Sequence, residues 1–368
     1  MPRFSQPCDF AFRRALRKDR RLGARNDREH GLQAKTHRIV RLVAIVTAVS
    51  AVFGLALSFV NRGDILAGTL AGILIALSIS ALEIVLRGPA ADAVRRWPVA
   101  LPFLLRTAVY GAAFFIMVHL AAALTLGSWD PLVHPTRLLS NTTVLVSFGF
   151  AFAVNLAIML ARLLGPRVLV SLLTGRYHRP RQERRVLLFM DLLGSTQAAE
   201  ALGDEQFHRY LNQVFWDVTD PVLEAGGEIY RYVGDEIIVT WPADGALRDA
   251  ACIACVFEIE AALARRRARY RAEFGIEPRL RSALHAGPLI VGEMGDVKRE
   301  IVMLGDTMNT AARIEGVCRA MHKDYVASAP ALAICSLPAG VNAESLGPVP
   351  LRGKESGIEL FALTRDNS

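Results

Sequence analysis

Cysteine is scarce in this chain: five residues among 368, with one Cys-x-x-Cys pair at Cys252 and Cys255 and no second pair at a matching spacing. A four-thiolate zinc module needs two such pairs, so the spacing excludes one. The single pair lies in an apolar helical pattern, DAACIACVFEIEAALARR, which predicts buried core thiols in a reducing compartment. Internal repeats and low-complexity blocks are lacking, which excludes a solenoid. No nucleic-acid recognition motif accompanies the formal charge of +8, so the basic excess has another explanation and no nucleic-acid partner is expected. The first apolar run begins only after 38 residues and no small-residue cleavage pattern follows it, which predicts a retained anchor.

Apolar residues are abundant instead, at 52%, with a mean hydropathy of +0.30, too apolar for two ordinary soluble domains. The excess lies between Ile39 and Leu164, in four runs: Ile39 to Val60, Ile65 to Leu86, Leu101 to Leu126 and Leu138 to Leu164. Each reaches the roughly 20 residues that cross a bilayer core. They predict an N-terminal all-α transmembrane bundle of four helices over 39–164, with the lipid bilayer as partner. Basic residues crowd the tail 1–38 (RRALRKDRRLGARNDR), the connection carrying Arg87, Arg95 and Arg96, and the stretch after Leu164, whereas the other two connections hold one Arg each. That asymmetry places both termini in the cytoplasm, in a multi-pass inner-membrane protein, and accounts for much of the positive charge. The tail either rests on anionic lipid or is solvated, and Arg106 and Glu83, near span ends, are expected to snorkel. Nothing in the four runs names a membrane-domain ligand. A linker over 165–185 follows, with an amphipathic turn at Val168 to Leu173 and breakers at Gly175 and Pro180.

The remaining half carries acidic residues at strand tips. Asp191 ends the apolar run VLLFMDLLGST, and Asp235 sits in a Gly234-Asp235 pair between two strand patterns, a two-residue hairpin signal. Hard cations are commonly held by one or two carboxylates, with substrate phosphates completing the shell. After Asp191 the loop Leu192-Leu193-Gly194-Ser195-Thr196 enters one helical run, TQAAEALGDEQFHRYLNQVFWDV, whose first amides suit a phosphate. A third element, LGDTMNTAARIEG, puts Asn309 and Arg313 four apart on one helix face, with Asp306 or Thr307 as N-cap. An amide and a guanidinium so placed suit a sugar oxygen and a phosphate.

In this order the three elements resemble the class III nucleotide cyclases, the adenylate and guanylate cyclases, over Val186 to Leu363. The resemblance implies a C-terminal α+β ferredoxin-like (palm) catalytic domain, 186–365, working as a homodimer. Each site would take its metal-binding residues from one chain and its Asn/Arg pair from the other. It implies that Asp191, Asp235 and the backbone of Leu192 bind two divalent ions, Mg²⁺ or Mn²⁺, and that Asn309 positions the ribose while Arg313 stabilises the transition state. Gly194, Ser195 and Thr196 would face the phosphates. Arg231 and Val302 stand where the family reads the purine, in place of its lysine and its Asp or Thr, and Lys354 stands where a lysine touches the polyphosphate. His285 is expected to be structural. The implied reaction turns ATP into cyclic AMP and pyrophosphate. The alternatives are a guanylate or diguanylate cyclase, or a membrane receptor whose cyclase domain has decayed.

Overall fold

The computed structural model describes residues 64–86, 100–127, 141–243, 250–351 and 356–366, together with most of 40–59. The basic tail, the side chain of Glu83 and Lys354 lie outside the described residues. The chain divides into two compact units after Val170.

The first unit is helical. A helical stretch Val46–Ala56 precedes α1 (Ile65–Leu86), α2 (Ala100–Leu126) and α3 (Asn141–Leu164). Asp64 caps α1, its carboxylate accepting from the amide of Leu66 at 2.8 Å. Gly68 and Gly72 of α1 lie where a Cβ would fall 2.7 Å from the carbonyl oxygen of Gly54 and 2.2 Å from that of Ser50, so only glycine permits the backbones to approach this closely. Asn155 of α3 donates to the Phe103 carbonyl at 3.0 Å and to Thr107 at 2.6 Å, satisfying a buried amide among apolar helices. Among the described residues, Ile65–Leu82 and Leu101–Thr125 are long and apolar enough to cross a membrane, and Val46–Ala56 and Ala151–Ala161 are shorter apolar segments. Two of the four expected spans thus meet both conditions among the described residues. The expected amphipathic turn is α4 (Pro166–Leu173), with proline at its first position and Gly175 beyond it at φ 63°.

The second unit is a mixed sheet covered by helices. Its order is β2-β3-β1-β4-β6-β8-β7, with β5 pairing on β4. The strands are β1 (Arg181–Leu192), β2 (Glu228–Val233), β3 (Glu236–Pro242), β4 (Leu280–Met294), β5 (Glu300–Leu304), β6 (Tyr325–Ser328), β7 (Val341–Val349) and β8 (Ile358–Arg365). Strand β1 is central, antiparallel to both β3 and β4, while β4 and β6 run parallel. Val186 through Leu192 are buried without interruption, which explains their unbroken apolar reading up to Asp191. Val186, Leu188 and Met190 pack on α6 (Asp204–Glu224) and α7 (Ala251–Arg265), through Val214, Val218, Ile253 and Val256. Leu187 and Phe189 face the other way, in a cluster with Leu289, Val291 and Ala311 of α9 (Asp306–Ala320).

Three local expectations are corrected. The single helix expected after Thr196 is two, α5 (Ser195–Leu202) and α6, because Gly203 takes φ 73° and closes the first while starting the second. The N-cap of α9 is Gly305, at φ 139°; Asp306 is already helical, and the Thr307 hydroxyl donates to the Pro288 carbonyl instead of capping. Cys252, expected as a free core thiol, is joined to Cys335 on the far side of 83 residues, while Cys255 and Cys318 are buried thiols. A further helix of this core, α8 (Arg267–Phe274), is tied to α6 through Asp217, whose buried carboxylate accepts from Tyr270 at 2.9 Å and pairs with Arg266.

Candidate active site

Strand alternation aims Asp191 at α9, because it shares the face of Leu187 and Phe189. Asp235 arrives from the hairpin: Val233 pairs with Glu236, leaving Gly234 at φ 62° and Asp235 as the two turn residues. The charge of Asp235 is among those that act on Asp191, so the two strand tips bring their carboxyls into one electrostatic neighbourhood. Burial, then the charge of Asp235, then that of Glu315, push the Asp191 pKa up to about 6; Arg319 opposes them. Glu236 rises to about 7, through burial and then the charges of Glu315, Asp191 and Asp235. Four carboxyls therefore act on one another at this corner, and Arg319 acts against them.

Such a corner suits a divalent cation, because the repulsion that raises these pKa values is what a doubly charged ion relieves. Among the described residues no three His, Cys, Asp or Glu side chains form a ready-made metal cage.

Helix α9 has two working faces. Glu315 and Arg319 turn to the carboxyl corner, Arg319 lying 2.8 Å from Asp191 and 3.4 Å from Glu315. Asn309 is exposed and Arg313 half-buried. At 100° per residue their direction is about 120° around the helix from that of Glu315 and Arg319. The sequence expectation that Asn309 and Arg313 share a face holds, and that face is not the one closed on Asp191.

The loop after Asp191 behaves as a helix start. Gly194 (φ 73°) precedes α5, no side chain caps it, Ser195 is half-buried and Thr196 exposed. Leu192 is buried, its side chain in the core. Arg231 on β2 reaches Glu300 on β5, and its guanidinium lies 5.4 Å from the centre of the Tyr230 ring. Val302, half-buried on β5, shares a face with Glu300 two residues earlier. A carboxylate thus stands beside Arg231 although Val302 supplies none. His285 is buried and bonded to Ser328 at 2.8 Å, as a structural histidine is expected to be. Glu236, Glu300, Glu315 and Arg319 were not singled out by sequence reasoning; the spacing Glu315-x-x-x-Arg319 on a helix is the signal that pairs the last two.

Residues 178–365 match the family model of the adenylate and guanylate cyclase catalytic domain. The chain belongs to that family, the class III cyclases. It is 40% identical over 254 residues to adenylate cyclase 2 of Rhizobium meliloti (strain 1021), covering 69% of this chain and 68% of that protein. It is 26% identical to an adenylate cyclase of Anabaena cylindrica and 28% identical to guanylate cyclase D of Mus musculus, of which it spans only 36% and 18%. Among solved structures, a bacterial light-regulated adenylyl cyclase aligns with a TM-score of 0.51 at 20% identity, over 61% of this chain and 66% of that one, a likeness of fold.

Proposed function

We propose that this chain is a membrane-bound adenylate cyclase, converting ATP to 3′,5′-cyclic AMP and pyrophosphate at sites shared between two copies of itself. The observation that carries the shared site is the division of α9. One face closes on Asp191 of its own chain, and the face with Asn309 and Arg313 turns elsewhere. A two-fold pairing gives each carboxyl corner an Asn/Arg face from the other copy.

Asp191, Asp235 and the backbone of Leu192 would hold two divalent ions, Mg²⁺ or Mn²⁺. When bound, such ions stabilise charge on attacking and leaving oxygens. Asn309 holds the ribose so that its 3′-oxygen lies in line with the α-phosphorus. That oxygen loses its proton to solvent and bonds to the phosphorus as the bond to the pyrophosphate oxygen breaks. Arg313 donates to the charge gathering on the transferred group. The amides of Gly194, Ser195 and Thr196 would face the polyphosphate, and Lys354 would contact it. Arg231, steadied by Glu300, meets the purine beside Val302. The 40% identity to an adenylate cyclase favours ATP.

The catalytic domain, 186–365 with a palm arrangement, follows the linker 165–185 and a four-helix membrane domain, 39–164. The tail 1–38 and the catalytic domain face the cytoplasm across the inner membrane. The test is full-length protein in detergent given ATP, then GTP, with Mn²⁺, its products separated by chromatography. Cyclic AMP from ATP is expected. Cyclic GMP or a cyclic dinucleotide from GTP would move the chain to another substrate, and no product from either would mark a non-enzymatic receptor.

A further inference from the structure

Arg319 is placed to compete for the site that the proposed function gives to a divalent cation. It extends from the last turn of α9, its side chain 63% exposed, and lays one guanidinium nitrogen between Asp191 of β1, at 2.8 Å, and Glu315 of its own helix, at 3.4 Å. Asp191 is nearly enclosed, whereas Arg319 approaches from solvent. Because its Arg319 end stays in solvent, the pair adds less to fold stability than a fully buried one. Its electrostatic effect on the corner is larger, because the guanidinium lies in contact with Asp191 and opposes the carboxyls of Asp191, Asp235, Glu236 and Glu315 that act on one another there.

We propose that Arg319 is a built-in counter-ion: its guanidinium occupies Asp191 in the metal-free chain and is displaced when a divalent cation binds. The inference rests on the reading of Asp191 as a metal ligand. A fixed positive charge at this point offsets part of the attraction the carboxyls exert on a second cation, so it weakens metal binding and keeps the corner from trapping ions without nucleotide. Glu315, four residues earlier on the same helix, holds the guanidinium in reach while it is bound and remains its partner once released.

The experiment is Mn²⁺ binding to full-length protein in detergent at pH 8 without nucleotide, read from the electron paramagnetic resonance of free Mn²⁺. Wild type is compared with R319Q, R319K, D191N and the double variant D191N/R319Q. R319Q is expected to tighten Mn²⁺ binding by at least about fivefold, since it removes a unit charge within contact distance of a ligand. R319K, which keeps the charge, is expected to stay within about twofold of wild type. D191N is expected to lose the ion, with R319Q changing little in that background, as coupled neighbours behave in a double-mutant cycle. Unchanged or weaker binding in R319Q, with D191N still losing the ion, overturns the counter-ion and leaves the metal site standing. Equal tightening in R319K and R319Q also overturns it, because bulk rather than charge would then be competing. Wild-type binding in D191N overturns the metal site itself and the inference with it.

Discussion

The two faces of α9 differ in what they already possess. The face of Glu315 and Arg319 is closed on the carboxyl corner of its own chain, with a partner for each charge. The face of Asn309 and Arg313 carries the groups suited to ribose and phosphate, and it is directed about 120° away. One helix thus presents two chemically different faces, and under the proposed function a single chain would hold two unlike halves of a site rather than one whole. A helix that buries Thr310, Ala311, Ile314 and Cys318 against the sheet has its orientation fixed by the core, so neither face can be turned towards the other.

The largest effects expected from this division are kinetic. Arg313→Ala should lower turnover by about 10² to 10³, the scale for losing a donor aimed at developing charge. Asp191→Ala should cost at least as much. The comparison sharpens through metal affinity: Asp191→Ala should abolish Mn²⁺ binding and Arg313→Ala should leave it intact. A matched loss in Arg313→Ala would break the separation of the faces. Asn309→Ala should cost less, about 10- to 100-fold in kcat/KM, the consequence of leaving one polar partner unsatisfied.

A smaller effect comes from the opposite end of β1, which touches neither face of α9. Burial pushes the Glu183 pKa up, but Arg185 at 2.7 Å, the Tyr177 hydroxyl at 2.9 Å and Arg176 outweigh it and leave the carboxyl below its ordinary value. A depressed acid contributes stability that is present above its unfolded-state pKa and lost as pH falls through the folded one. Thermal melts should therefore show stability declining below about pH 4.5, and Glu183→Gln should flatten that decline while sparing turnover at pH 8. Lost turnover in Glu183→Gln would mean that damage anywhere on β1 reaches the site.

Legibility followed the range of the interactions. Asp191 and Asp235 could be read because strand period and a Gly-Asp turn are local, and Asn309 and Arg313 because four residues make one helical turn. Glu315 and Arg319 escaped notice because an i,i+4 ion pair on a helix looks like an ordinary solvated face until β1 is known to run beside it. Glu300 was missed for the same reason, since its partner Arg231 lies on another hairpin. The break at Gly203 was not read because a glycine inside a helical pattern is often tolerated, and only its φ of 73° marks a terminus. The Cys252–Cys335 link joins positions that no local spacing relates. In the first, helical unit, apolar length was visible in four runs, whereas the approach of Gly68 and Gly72 to Gly54 and Ser50 needed the fold.

The most direct measurement mixes two inactive proteins. Arg313→Ala and Asp191→Ala are co-expressed and purified as a dimer, and cyclic AMP formation from ATP is assayed. Random pairing makes half the dimers mixed, each with one intact site of two, so about a quarter of wild-type activity should return. Mixed dimers that form and remain as inactive as their parents would contradict the shared site.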